Sequence, residues 1–394
     1  MAADVAIVGV GATPYYRRGE SLPDSTTGLA CRAILAACEE AGLSVTDLDG
    51  FAYYSGASAG YGETMDTGLF METLGIPEVT FSAALTSGGG GSAGSIGLAR
   101  AALLAGDATY VVSVMALQQA KQRLGTIFAA SAANPINAFL QPSGLAGPGH
   151  LMSVLARRHM HQYGTTREAF AEIAISTRQN ALNRPKALRK TPLTIEEYFA
   201  GRMIADPLCV YDFCLETDGA VAVITTTTDR AKDLRQKPVP VLASVHGGTA
   251  DWGRAFAWYG MPDETFASSG NASIAKRLYA RAGVTAADID VALLYDHFSP
   301  MVLMQLEDYG FCGKGEGDAF VKSGAIRYDG GSIPVNTHGG QLSEAYIIGM
   351  THIKEGVEQM RGEAINQVAG AELALVTGGP ASLPVSGMIL GKAS

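Results

Sequence analysis

Short apolar runs and helix-spaced apolar residues alternate along most of this chain. Residues 5–10 form an apolar run closed by Gly11, the pattern of a buried strand. Apolar residues at helical spacing over 29–41 then predict a helix stopped by Gly42. A polar turn over 44–49 leads into a second apolar run at 51–54. The same order returns downstream. Ala41-Gly42-Leu43-Ser44-Val45-Thr46-Asp47-Leu48-Asp49 aligns without gaps on Ala282-Gly283-Val284-Thr285-Ala286-Ala287-Asp288-Ile289-Asp290. Each copy lies behind a predicted helix and ahead of an apolar strand. A second pair repeats the theme. Gly88-Gly89-Gly90-Gly91 opens a helix over 93–105 that leads to a strand at 110–115. His338-Gly339-Gly340-Gln341 opens a helical stretch ending near Gly362, with a strand at 373–377.

Helix–strand order repeated at this distance predicts two similar α/β halves, since solenoid periods are far shorter. The expected boundaries are residues 1–234 and 241–394, joined where Pro238 and Pro240 mark a linker. Residues from about 118 to 205 have no counterpart in the second half. They hold a Pro-rich loop, a helix around 152–163 and a basic stretch with Arg178, Arg184, Lys186, Arg189 and Lys190. Such an insertion over one face of a duplicated core is a natural place for ligand-binding structure, or simply a solvated surface.

Composition narrows the class. The chain has 394 residues, 47% of them hydrophobic and only 17% charged, with 48 glycines. That is enough apolar material for more than one core and excludes a disordered chain. The net charge of −9 argues against nucleic-acid binding, which needs Lys and Arg to displace phosphate counterions. Five cysteines without a CxxC pair predict reduced thiols in a cytoplasmic protein. The first residues lack a basic region and a long apolar core, and no apolar run reaches membrane-spanning length.

Three clusters carry candidate chemistry. Gly88–Gly91 follows a strand-like run and opens a helix, where free N–H groups favour negative charge, but it matches neither GxGxxG nor a P-loop. Close packing would explain it equally well. Tyr295-Asp296-His297-Phe298 stands at the end of a buried strand, where three ionisable groups either cap a loop or do chemistry. In Asn336-Thr337-His338-Gly339-Gly340-Gln341-Leu342-Ser343-Glu344-Ala345-Tyr346, the tyrosine is expected about two turns into a helix. The remaining histidines have plainer expectations. His159 and His161, beside Arg157 and Arg158, are expected on a solvated helix face, and His150 closes the Pro148-Gly149 loop. The aromatic loop at 251–262 is a lid or a partner surface.

Together these clusters and the duplication resemble the thiolase superfamily, in its SCP-x-like lipid-transfer branch. Further matching strings are Ile204-Ala205-Asp206-Pro207-Leu208, Gly310-Phe311-Cys312-Gly313-Lys314-Gly315-Glu316 and Asn366-Gln367-Val368-Ala369-Gly370. The resemblance implies a thiolase fold, with two αβαβα halves in five layers and a loop domain inserted in the first. The departures from thiolases are as informative. No cysteine lies between Cys38 and Cys209, so the Gly88–Gly91 opening lacks the thiolase nucleophile. A His-Asp-Cys-Phe motif is replaced by Tyr295-Asp296-His297-Phe298. Tyr346 stands for the histidine of Gly-His-Pro, and the second active-site cysteine is missing around Gly378-Gly379. Without a thiolate there is no acyl-enzyme.

This altered set resembles the steroid side-chain-cleaving aldolases of the superfamily. The resemblance implies retro-aldol cleavage of a 17-hydroxy steroid bearing a short acyl-CoA side chain, giving a 17-ketosteroid and propionyl-CoA. A base must take the hydroxyl proton, and donors must hold the enolate. A free tyrosine titrates near ~10, so such a base needs a depressed pKa or a relay. Tyr346 is expected to take the proton and Tyr295 to stabilise or protonate the enolate, with Asp296, His297 and His338 orienting them. Gly89, Gly90, Gly339, Gly340, Gly378 and Gly379 are expected around the thioester, and Arg184 and Lys186 near the CoA phosphates. No cofactor is expected in this chain, CoA being part of the substrate. The family implies a homodimer with a companion zinc-ribbon and OB-fold protein in an α2β2 complex. Two alternatives stay open: another bulky acyl-CoA, with a bile-acid or aromatic side chain, or a non-catalytic acyl-CoA carrier.

Overall fold

A computed structural model describes residues 4–54, 65–85, 88–120, 140–145, 147–248, 266–381 and 384–393. Strand β1 (Val5–Ala12) is buried along nearly its whole length, as its unbroken apolar run requires. Helix α1 (Thr26–Ala41) starts at Ser25, whose side chain accepts from the Gly28 N–H. It stops at Gly42, left-handed at φ 78°. Then follow β2 (Gly50–Tyr54), β3 (Phe81–Leu85), α2 (Gly91–Ala105) and β4 (Val111–Leu117). The insertion supplies α3 (Pro148–Tyr163) and α4 (Arg167–Leu182) before β5 (Thr217–Thr227) closes the first half. The second half holds β6 (Val239–Gly247), α5 (Ala272–Ala282), β7 (Val291–Leu293), α6 (Ser299–Asp308), α7 (Met350–Arg361), β8 (Leu373–Gly378) and β9 (Val385–Gly391).

The sequence repeat is a structural repeat. Each copy of the nine-residue segment caps a helix with a left-handed glycine, Gly42 or Gly283, and passes through a 3-10 turn closed by a capping box, at Ser44 or Thr285. The aspartates that end the copies do the same work. The Asp49 carboxylate accepts from the Thr109 and Tyr110 N–H groups just before β4, and Asp290 accepts from Glu372 and Leu373 at β8.

One sheet runs through both halves in the order β7-β8-β9-β6-β1-β5-β4-β2-β3. The order is mirror-like about the antiparallel β1–β6 seam, where Ala6 pairs with Pro240 and Ile7 with Val239. The expected linker thus runs directly into a strand, with Pro240 inside it. Helices α2 and α7 each touch strands of both halves, while α1 lies against first-half strands and α5 against second-half strands. The insertion belongs spatially to the second half: α3 and α4 share a core with α5 and α6. No helix among the described residues is long and apolar enough to cross a membrane.

One expectation for the insertion needs correction. His159 is not on a solvated face but fully buried, with Nδ1 2.7 Å from Thr165 Oγ1 and Nε2 3.0 Å from Glu307. Glu307 also receives Lys314 at 3.0 Å and the N–H groups of Gly315 and Gly317. The Gly310–Glu316 string is therefore a loop wrapped on a buried carboxylate. His161 is exposed. The loop at 251–262 lies outside the described residues.

Candidate active site

The chemistry-bearing segments converge at the C-terminal ends of β7 and β8, against the start of α2. Tyr295 leaves β7 in a backbone position fixed twice: its N–H donates to Thr377 Oγ1 at 2.9 Å, and its carbonyl accepts from Gln305 Nε2 at 2.9 Å. Thr377 Oγ1 donates in turn to Gln305 Oε1 at 2.6 Å, closing the bracket. Tyr346 is held by Thr217, whose Oγ1 accepts from its N–H at 3.0 Å and donates to its carbonyl at 2.7 Å. These brackets aim two buried phenols at each other, with the Tyr295 and Tyr346 oxygens 3.5 Å apart.

Gly89 makes room for this pair. A Cβ on Gly89 would stand 2.4 Å from Tyr295 Cζ and 2.6 Å from its oxygen. The tyrosine ring fills the space that any side chain at 89 would need. The other glycine turns interlock backbone to backbone. A Cβ on Gly90 would meet Pro384 O at 1.9 Å, one on Gly379 the Gly90 nitrogen at 2.2 Å, and one on Gly378 the Gly89 carbonyl at 2.8 Å. Close packing alone accounts for these three.

Tyr346 does not sit in a helix. Gly339 and Gly340 are left-handed, at φ 101° and 57°, and lead into a single π turn over Gly340–Glu344. Ala345 then returns to extended backbone, and α7 begins only at Met350. The helical expectation failed because the two glycines set a different local geometry. Asp296 anchors this turn. Its carboxylate accepts from the Gln341 N–H at 2.8 Å and the Leu342 N–H at 3.3 Å, so close that a Cβ on Gly340 would lie 2.0 Å from Oδ2. On Gly339 the Cβ would meet Ala181 of α4 at 2.6 Å.

Burial favours the neutral form of two histidines here, His297 and His338. Burial pushes His297 down to about 3, with Asp296 opposing, and its ring meets Tyr295 edge-on at 5.2 Å. Burial also holds His338 well below the ordinary range, reinforced by His352, Arg184 and Lys354. Neither His338 ring nitrogen has a hydrogen-bond partner among the described residues. Cys214 donates its N–H to the His297 carbonyl at 2.9 Å, but burial and then the charges of Asp296 and Glu216 raise its thiol far from thiolate formation.

Arg184 is not available to a phosphate. Its guanidinium is buried against three carboxylates, with Nε 3.1 Å from Glu344, NH1 3.1 Å from Glu355 and NH2 3.2 Å from Glu358. It straps the insertion to the segment before Tyr346 and to α7. Arg178 is likewise committed, to Ser343 Oγ and the Thr191 carbonyl, and Lys190 to the carbonyls of Arg184 and Pro185. Lys186 and Arg189 are exposed. Burial pushes Glu355 up to about 7 despite Arg184. A carboxyl raised on folding stabilises below its unfolded pKa and loses that contribution as pH climbs through the folded value. Glu355→Gln is therefore expected to flatten the fall in Tm between pH 5 and pH 8, read from melting curves across that range. An unchanged slope would remove Glu355 as the titrating group.

His352, Thr217, Gln305, Thr377 and Cys214 were not singled out from sequence. His352, on α7, places Nε2 3.0 Å from both Asp296 Oδ1 and the Leu294 carbonyl. Its partners lie 56 and 58 residues upstream, so no local pattern announces it. Among the described residues no group of three or more His, Cys, Asp and Glu side chains is placed to hold a metal ion.

Comparison with known proteins decides the family. The chain is 40% identical, over 99% of its length and 100% of the relative's, to 17-hydroxy-3-oxo-4-pregnene-20-carboxyl-CoA lyase of Mycobacterium tuberculosis. The chain belongs to the thiolase superfamily, in its steroid-aldolase branch. This aldolase-branch member is also 36% identical to the steroid side-chain-cleaving aldolase of Thermomonospora curvata, over 98% of the chain and 97% of that protein. A solved structure described as the Ltp2-ChsH2(DUF35) aldolase superposes with a TM-score of 0.88 at 36% identity, covering 99% of this chain and 98% of that one. The family model Thiolase C-terminal domain-like matches residues 255–391. The thiolase-fold expectation is met, and the branch is one of lyases.

Proposed function

We propose that this aldolase cleaves a 17-hydroxy steroid carrying a short acyl-CoA side chain into a 17-ketosteroid and propionyl-CoA. The observation that carries the reading is the Tyr295–Tyr346 pair standing over Gly89 where a thiolase-type nucleophile would need a side chain. Tyr346, as phenolate, takes the proton of the 17-hydroxyl. The electron pair left on that oxygen forms the ketone C=O, the carbon–carbon bond to the side chain breaks, and its electron pair enters the thioester as an enolate. Tyr295 gives its proton to the enolate carbon, and proton transfer across the 3.5 Å contact restores the pair. Proton and electron counts balance without a covalent intermediate. Asp296 braces the turn ahead of Tyr346, His297 packs edge-on against Tyr295, and Gly89 leaves the space that the Tyr295 ring fills. Lys186 and Arg189 are the remaining outward cations of the basic stretch for the CoA phosphates.

The names of the relatives support this substrate class, and that of the superposed structure supports a DUF35 partner. The proposed assembly is a cytoplasmic α2β2 complex, a homodimer of this chain with two companions whose zinc ribbon would hold a zinc ion. The test is to supply a synthetic 17-hydroxy-20-carboxyl-CoA steroid, with and without the companion, and follow ketosteroid and propionyl-CoA. Product in the complex is expected. No product under either condition would sink the steroid reading.

A further inference from the structure

We propose that His352 is a positioning residue that sets the distance between the two phenols, by tying the segment bearing Tyr295 to the turn preceding Tyr346. This rests on the aldolase reading above. The Leu294 carbonyl can only accept, so the His352 nitrogen 3.0 Å from it must carry the hydrogen. The same Nε2 lies 3.0 Å from Asp296 Oδ1, so the hydrogen is shared between a strand end and the neighbouring carboxylate. Asn336 also braces the strand end. Its amide accepts from the Leu294 N–H and donates to the Leu294 carbonyl, each at 2.8 Å.

Asp296 passes this anchorage on. Its other contacts are the Gln341 and Leu342 N–H groups of the π turn, and Tyr346 follows that turn by two residues. His352 thus connects three elements, the β7 end, the π turn and α7, at full burial. Its ring lies nearly parallel to that of Tyr295, 19° apart in plane and 6.2 Å between centroids. It acts on the reaction through geometry. A misplacement of about 1 Å at a reacting group can cost about 10²-fold in rate.

The test compares His352→Leu, which removes the donor, with His352→Gln, whose amide nitrogen reaches to nearly the position of Nε2. Steady-state kinetics use the complex with its companion and the synthetic steroid thioester. His352→Leu is expected to lower kcat by ~10²-fold with KM within about threefold, and His352→Gln to recover most of that loss. Crystal structures of the ligand-free variants give an independent readout: the phenol separation widens in the Leu variant and returns in the Gln variant. A folded Leu variant with kcat within threefold of wild type would overturn the proposal. So would a kcat loss with the phenols in place, or equal impairment of Leu and Gln. If the Leu variant does not fold, His352→Asn, one bond too short, replaces it. If the wild type fails to cleave the steroid, the function above is wrong, while the phenol separations still decide the role of His352.

Discussion

Tyr346→Phe is expected to lower kcat for carbon–carbon cleavage by ~10²–10⁴-fold, the range associated with loss of a positioned acid or base, while KM shifts little. The substitution is clean because Thr217 grips the backbone of residue 346 on both sides, so the ring stays in place and only the phenol oxygen goes. Tyr295→Phe should cost a comparable factor, since its backbone is fixed by Thr377 and Gln305. Groups that act as a unit are strongly non-additive, so the double variant should be little worse than the worse single one. Single-turnover and steady-state rates, with circular dichroism to verify folding, check all three. Wild-type turnover in a folded Tyr346→Phe protein would refute its role as base.

Gly89→Ala is the second large effect. One methyl placed 2.4 Å from the Tyr295 ring must push the ring aside, and the ring is already packed so tightly against Gly349 that a Cβ there would stand 2.8 Å from Cδ2. Forced overpacking of this kind costs about 1–3 kcal/mol of stability, and the displaced phenol should lose at least ~10²-fold in cleavage rate. Gly89→Cys should be worse still and should not yield thiolysis. The mechanism predicts coupling: with Tyr295→Ala already in place, Gly89→Ala should cost little further stability. Chemical denaturation of the four proteins of this cycle gives the answer, and equal penalties in both backgrounds would rule out the collision.

Much of this was legible in the sequence, for reasons that can be named. The aligned segments ending at Asp49 and Asp290 showed the duplication because each copy encodes a complete local device, a helix stop, a capped turn and a carboxylate for the next strand. The tyrosines stood out by occupying motif positions. Failures occurred where a residue's environment comes from distant segments. Arg184 reads as a phosphate cation within its basic stretch, but its three glutamates arrive from 160 or more residues downstream. His159 reads as surface beside two arginines, and Glu307 makes it core. Tyr346 reads as helical because the Gly339-Gly340 pair reads as a helix opening, while in the fold both glycines bend the backbone left-handed. The basis for replacing a nucleophile with glycine was also invisible, since it is a contact between residues 89 and 295.

That contact also constrains the history of the site. A side chain at 89 and a phenol at 295 exclude one another, so a lineage moving from one arrangement to the other has to pass through glycine at 89 before the tyrosine can settle. Once it has settled, a reverting mutation at 89 meets the ring and is selected against on stability alone. The pair is an epistatic ratchet, holding the descendant sequences on the branch they entered.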